Sequence, residues 1–390
     1  MPYTRLYEEV ISKNLCTDCG ACMVVCPKKA ITLQETATSF EPVLTGDCLG
    51  EKCSSCSDAC PGAYVPRSKA EETFFGRVRK DDGVENTQGV LRDVYIGQWD
   101  EEDVLRESGS GGFVTGLLTF ALEKGLIDGA VVSVPNSKYP YLSEAKVATT
   151  REELVEAAGS RYDSYPHLLG LQKAYEMGLK KIAVVCLPCY ANSLRKMMMQ
   201  PKFAKYAGMV QYILGLWCVC NFTRTGVKFL MEEKFGVPCE DVAWMSYRKR
   251  PFSGTVVVRT KDGEEKREGF VTRHVYHRLS SSFMLDACRN CVDAQSDLAD
   301  LSFGDPWGYK LDEQALSTGY GFSTCLVRSE KGEELVRMAK EAGKFRYFEE
   351  VAPEDRWFLP KTGAVITKCY GHKTSIESRQ KHGIATRIVE

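Results

Sequence analysis

Net charge, histidine and long apolar runs are all scarce in this chain, and each scarcity removes a class of function. Lysine and arginine number 51 against 52 aspartates and glutamates, a formal charge of -1, so no basic excess exists to attract nucleic acid. The five histidines form no metal-binding pattern. No stretch reaches the roughly 18 apolar residues of a membrane span, and the opening Met1–Asn14 lacks the apolar segment of a signal peptide. A soluble, cytoplasmic protein is expected. The dinucleotide fingerprint G-x-G-x-x-G is also missing, because Val114 stands where its last glycine would fall.

Cysteine, by contrast, is abundant: there are 17, and twelve fall into three groups with iron–sulfur spacing. Cys16, Cys19, Cys22 and Cys26, closed by Pro27, form the C-x2-C-x2-C-x3-C-P run of bacterial ferredoxins. Cys48, Cys53, Cys56 and Cys60, closed by Pro61, form a second run with a stretched first gap. Three thiolates on a tight loop cap three irons of a cube, and the Cys-Pro step sends a more distant thiolate to the last corner. In two-cluster ferredoxins that fourth cysteine ligates the other cluster. Cys16, Cys19, Cys22 and Cys60 are therefore expected on one [4Fe–4S] centre, and Cys48, Cys53, Cys56 and Cys26 on the other. Zinc is the competing reading, but its sites use paired C-x2-C knuckles rather than triplets ending in Cys-Pro. So many thiols also imply a reducing, anaerobic setting.

A chain of 390 residues with 44% apolar content can build two or three cores. Residues 1–66 read as the two-cluster domain. Residues 67–92 are polar and charged without apolar periodicity and read as a linker. Strands and helices then alternate: strands over 93–98, 129–134 and 182–187, helices over 113–124 and 165–177. Continuous apolar strands between helices predict a sheet buried on both faces, an α/β (α+β) unit. Residues 237–266 switch to period-two patterning with a Lys-Asp-Gly-Glu hairpin turn. The unit runs to about residue 345, and 346–390 form a C-terminal extension.

Ser108–Gly112 lies between a strand-like segment and a helix. A glycine turn feeding a helix N-terminus can face an anion with bare N–H groups, or it can simply be a turn. The third cysteine group is scattered: Cys186 and Cys189, Cys218 and Cys220, Cys288 and Cys291. One cluster needs four thiolates, and spacing alone does not choose among six.

Five ordered motifs carry a resemblance. Ser-Gly-Gly-Phe-Val-Thr-Gly-Leu-Leu (110–118), Gly-Ser-Arg-Tyr (159–162), Leu-Pro-Cys-Tyr-Ala-Asn-Ser-Leu-Arg-Lys (187–196), Leu-Gly-Leu-Trp-Cys (214–218) and Cys-Arg-Asn-Cys with Ala-Asp-Leu-Ser-Phe-Gly-Asp (288–305) resemble the β subunits of coenzyme F420-reducing hydrogenase, F420-linked formate dehydrogenase and F420H2 dehydrogenase. The likeness covers roughly residues 93–345, and the N-terminal ferredoxin domain makes the F420H2 dehydrogenase input subunit the nearest pattern. It implies a third [4Fe–4S] cluster on Cys189, Cys218, Cys288 and Cys291. It also implies FAD held by Ser110, Gly111, Gly112, Thr115, Ser160, Arg161, Tyr162, Pro188, Arg195 and Lys196. Hydride exchange with coenzyme F420 follows, with electrons passed to or from a partner subunit of hydrogenase, formate dehydrogenase or membrane-complex type, or a ferredoxin. Two positions depart from the pattern: Tyr190 replaces a Gln or Glu and Arg161 a Lys, so contacts near the flavin ring are expected to differ. The Tyr320–Thr324 loop keeps the family's Gly-x-Ser-Thr and is expected to line the same cleft.

No side-chain acid or base is required for such chemistry, and none is singled out. Cys239, Cys325 and Cys369 read as ordinary buried thiols, with Cys186 and Cys220 as alternative ligands. Met197–Met199 reads as helix packing. The basic residues Arg248, Lys249, Arg250, Arg273, His274, His277 and Arg278 read as a solvated face or as a seat for an anionic tail. Two other functions fit the same parts: a ferredoxin-driven reductase of another substrate, as in tetrapyrrole reductases, and an electron-transfer subunit with no hydride site.

Overall fold

The computed structural model describes residues 2–251, 253–270, 275–311 and 319–390. At the N-terminus, β1 (Ile31–Glu35) and β2 (Phe40–Leu44) form an antiparallel hairpin. Leu6, Val10, Ile11, Leu15 and Ile31 pack beside it against Cys22 and Cys56. That apolar set is small, and the cysteine loops wrap around it.

An eight-stranded sheet forms the centre. It comprises β4 (Asp93–Trp99), β5 (Gly129–Pro135), β6 (Ser143–Ala148), β7 (Ile182–Cys186), β8 (Val210–Leu216), β12 (Leu301–Gly304), β13 (Ser323–Val327) and β14 (Phe345–Glu350), in the order β14-β4-β13-β12-β8-β7-β5-β6. The four strands β12, β8, β7 and β5 run parallel, and antiparallel strands close both sides. Side chains alternate across the pleat, and both faces are covered as the apolar runs predict. Ile182, Val184 and Ile213 meet helices 169–176 and 188–198 on one face. Ala183, Tyr212 and Leu214 meet helices 113–123 and 330–341 on the other. Each fully buried aliphatic side chain contributes about 1.5–3 kcal/mol to this sandwich.

The period-two segment forms a separate antiparallel sheet of β9 (Val242–Lys249), β10 (Thr255–Thr260) and β11 (Glu265–Gly269), with its hairpin turn at Lys261–Glu264.

Two expectations change. Residues 67–92 are no loose linker: they carry helices over 67–75 and 85–88, with Glu71 and Glu85 buried. Ion pairs hold this stretch where apolar periodicity is absent. Arg77 grips Glu85, while Arg79 binds Glu71 (2.7 Å) and Asp297 (2.8 Å). Burial opposes ionisation of Asp297, yet Arg79, Arg67 and Arg328 hold it below the usual carboxylate range. The C-terminal extension begins with β14, an edge strand of the central sheet. It continues through helical turns over 353–381 and returns to the N-terminal part. There β15 (Ile388–Val389) pairs in parallel with β3 (Tyr64–Val65). Among the described residues no helix is long and apolar enough to cross a membrane.

Candidate iron–sulfur and flavin sites

Two small cavities open inside the N-terminal domain. Cys26, Cys48, Cys53 and Cys56 line the first, and Cys16, Cys19, Cys22 and Cys60 line the second. The fourth cysteine of each run thus faces the cavity of the other. Left-handed backbone at Asp18 (φ 56°) and Gly20 (φ 82°) bends the first run around its cavity. Burial pushes the Cys19 thiol up to about 12 and the Cys56 thiol to about 11. Thiolates so crowded and so dry need a metal's positive charge beside them, so this donor set fits a cluster. Among the described residues no group of His, Cys, Asp or Glu side chains converges on a single-ion site.

The scattered cysteines come from separate pieces of chain. Cys189 sits in the first turn of helix 188–198, whose start Pro188 pre-sets, Cys218 follows β8, Cys288 lies within the turn at 286–290, and Cys291 directly follows it. Burial raises the Cys189 thiol, Arg387 lowers it, and the nearby Cys291, Cys218 and Cys288 raise it further, so these cysteines are electrostatic neighbours. The Asn221 N–H donates to Cys288 Sγ (3.4 Å), and Lys368 Nζ donates to Cys291 Sγ (3.2 Å). Cys220 lies beside Cys218 and Cys288, next to Tyr276. Cys186 has Arg195, Asp300 and Asp293 as its charged neighbours instead. Cys325 is buried in β13. Cys239 lies beside Tyr141, and Cys369 donates to the Val292 carbonyl (3.2 Å), close to the Cys288–Cys291 pair.

The glycine loop forms the second site. Gly112, at φ 79°, caps the buried helix 113–123, whose first turn includes the buried Thr115. Gly111 is required by packing: a Cβ there would lie 2.3 Å from the Gly97 carbonyl oxygen and 2.4 Å from the Ser323 nitrogen. Ser110 Oγ donates to the Phe322 carbonyl, which ties the loop to the Tyr320–Thr324 segment. Ser160 and Arg248 approach Gly109, and Arg248 pairs with Asp305 at 2.9 Å. Tyr162 stands in an aromatic cluster with Phe222, Tyr247, Phe270 and Tyr276. Arg161 Nε, and Nε and one terminal nitrogen of Arg250, are buried without a hydrogen-bond partner among the described residues. Arg250 also stacks on Tyr320. A helix N-terminus together with guanidinium nitrogens left without partners fits an anionic cofactor.

Three further candidates lie on helix 188–198. Arg195 is fully buried, donating to the Leu298 carbonyl and to Asp300 (2.9 Å), with Phe74 stacked on it. Lys196 donates to the carbonyls of Cys60 and Tyr64, and Pro188 adjoins Cys189. A buried cation needs compensation where it lies: Asp300 pairs with Arg195 inside the sheet unit, and the Cys60 and Tyr64 carbonyls hold Lys196 in the seam with the N-terminal domain. Tyr190 is likewise in that seam: it stacks on His167, and both Cys189 and Cys19 border it. Arg273 and His274 lie outside the described residues.

Sequence reasoning passed over Lys368 and Arg387, both buried. Arg387 stands near Cys60, Cys189 and Cys288, and donates to the Gly62 carbonyl. Neither residue belongs to a spaced motif, so no sequence signal marked them.

Three family models match: coenzyme F420 hydrogenase/dehydrogenase beta subunit N-terminus over residues 94–172, its C terminus over 179–352, and a 4Fe-4S dicluster domain over 8–72. The coenzyme F420 hydrogenase beta chain of Methanothermobacter thermautotrophicus is 30% identical over 68% of this chain and 88% of its own length. One component of the F420H2 dehydrogenase of Methanosarcina mazei is 26% identical, over 85% of this chain and 84% of its own. The coenzyme F420-dependent sulfite reductase of Methanocaldococcus jannaschii is 28% identical over 85% of this chain, which spans only 47% of that protein. A chain of the F420-reducing NiFe hydrogenase complex of Methanosarcina barkeri superposes with a TM-score of 0.61 at 26% identity, covering 79% of this chain and 98% of its own. With its ordered motifs matched across the sheet and the cysteine loops in front of it, the chain belongs to the family of coenzyme F420 hydrogenase/dehydrogenase beta subunits and carries a 4Fe–4S dicluster domain at its N-terminus.

Proposed function

We propose that this chain exchanges hydride between coenzyme F420 and FAD and passes single electrons through three [4Fe–4S] clusters to or from a partner subunit or ferredoxin. Cys16, Cys19, Cys22 and Cys60 hold the first cluster, Cys26, Cys48, Cys53 and Cys56 the second, and Cys189, Cys218, Cys288 and Cys291 the core cluster. A cytoplasmic setting suits that inventory. FAD supplies the exchange between paired and single electrons that a deazaflavin and an iron–sulfur cluster cannot make directly. Gly112, the start of helix 113–123, Ser160 and Arg161 hold its anionic part, and the Tyr320–Thr324 loop borders the cleft. These side chains position and exclude water, so that transfer is effectively intramolecular. Arg250 is the candidate for the anionic tail of F420.

The observation that carries this reading is the seam at Tyr190. Cys19 of the dicluster domain and Tyr190 pack in one buried cluster, with Cys189 of the core group against it, which supports a one-electron route between the two parts. Anaerobic titration of the purified chain with F420H2 tests it. Bleaching of bound flavin followed by cluster EPR signals, with about twelve irons per chain, is the expected result. Bound flavin that F420H2 leaves oxidised would favour a reductase of another substrate. Absence of flavin would leave an electron-transfer subunit.

A further inference from the structure

The beta-subunit match ends at residue 352, yet the chain beyond it returns to the centre of the molecule. The helical stretch 363–381 lies against the turn carrying Cys288 and Cys291: Cys369 Sγ donates to the Val292 carbonyl (3.2 Å), and His372 Nδ1 lies 3.0 Å from the Cys291 carbonyl oxygen. Just before them in the chain Lys368, 1% exposed, donates from Nζ to Cys291 Sγ (3.2 Å) and to the Asp293 carbonyl (2.9 Å). An ammonium is costly to bury, and a methionine would fill the same space without that cost. What offsets that cost is what surrounds it: the Cys291 thiol it touches, with Cys218, Cys288 and Asp293 nearby. Hydrogen bonds and positive charge at a cluster sulfur favour the reduced, more negative state and so raise the reduction potential.

We propose that the C-terminal segment sets the reduction potential of the core cluster through Lys368, a positioning residue that donates to the Cys291 thiolate. The inference rests on the core-cluster reading above. With the charge in place, the core cluster is the more ready acceptor of a single electron from the flavin side. Without it, the core cluster is a weaker acceptor.

Iron analysis and EPR-monitored redox titration of the anaerobically purified full chain, as wild type, Lys368→Met and Lys368→Arg, test the proposal. The expected result is about twelve irons in all three. The core-cluster potential of Lys368→Met should fall by at least tenfold in the reduction equilibrium, about 59 mV for one electron, with Lys368→Arg close to wild type. An unchanged potential in Lys368→Met at full iron content overturns the inference and leaves the core cluster standing. About eight irons in the wild type, with no third signal, overturns the core-cluster reading and the inference with it. Should Lys368→Met shed its core iron, Lys368→Gln keeps a donor without the charge and is read by the same two criteria.

Discussion

Burial at single residues decides protonation in this protein. His167 is fully buried beside Tyr190, its Nδ1 3.2 Å from the Tyr165 hydroxyl, and burial lowers its pKa to about 4. An unfolded chain returns it to about 6.5. Between those values the unfolded state binds more protons, so stability is complete above about pH 6.5 and is lost as pH falls toward 4. From pH 7 to pH 5 this one residue should cost about 2 kcal/mol. Denaturant titrations of wild type and His167→Phe, which keeps a ring against Tyr190, should show a smaller difference between the two pH values in the variant. Equal differences would mean that His167 does not stay neutral when folded. At the same scale, the thiols of Cys19 and Cys218, raised by burial to about 12, must lose their protons for a cluster to form.

Two elements hold the sites in place. The loop before helix 113–123 reaches its position because Gly111 lets it lie against β4 and β13 and because Gly112 takes a left-handed conformation. A side chain at 112 would be strained by about 1–2 kcal/mol, and its Cβ would press on Trp99 and Val104 at 3.3 Å. Gly112→Val should therefore lose flavin while keeping the ferredoxin clusters, as read by flavin absorbance against iron content. Stoichiometric FAD in the variant would make the loop a turn only. The second element is the β3–β15 pairing. The Ile388 N–H donates to the Ala63 carbonyl (2.7 Å), and the Ser68 N–H to the Glu390 carbonyl (2.8 Å). Ile388→Pro removes the first donor, worth about 1 kcal/mol. Hydrogen exchange over residues 62–72 should then rise, most clearly at the Ser68 amide. No change there would mean that the segment is held by its side chains alone.

Across the molecule, the dicluster domain and the sheet unit share a core. Cys19, Ala21, Val24, Val25 and Ala59 pack with Leu168, Leu171, Tyr190 and Leu194. Ser193 Oγ donates to the Ala59 carbonyl, and the Leu168 N–H to the Cys19 carbonyl. The two parts are therefore held at one separation, as one-electron transfer requires, and on the proposed reading the route runs from flavin through the core cluster to the ferredoxin pair. Cys291→Ser should lower iron from about twelve to about eight per chain. Rapid mixing with F420H2 should still reduce its flavin but fail to reduce the N-terminal clusters. Unaltered reduction of those clusters would take the core cluster off the route or move the ligand to Cys220.

The ferredoxin runs, the alternation of strand and helix, the β9–β11 hairpins and the five family motifs were all legible in the amino-acid order, because each rests on neighbours within a few residues. Turn chemistry, thiol spacing and side-chain periodicity are local quantities. Grouping Cys189, Cys218, Cys288 and Cys291 while turning Cys186 toward Arg195 and Asp300 depended on which strand lies beside which. So did the pairing of Arg79 with Glu71 and Asp297, which orders a stretch that reads as linker, the pairing of Arg195 with Asp300, and the seating of Lys196 on the Cys60 and Tyr64 carbonyls. Lys368 is the extreme case. No spaced motif surrounds it to suggest a cluster, and it reaches Cys291 only because the tertiary fold carries a segment 77 positions away into a site where burial makes a single charge count.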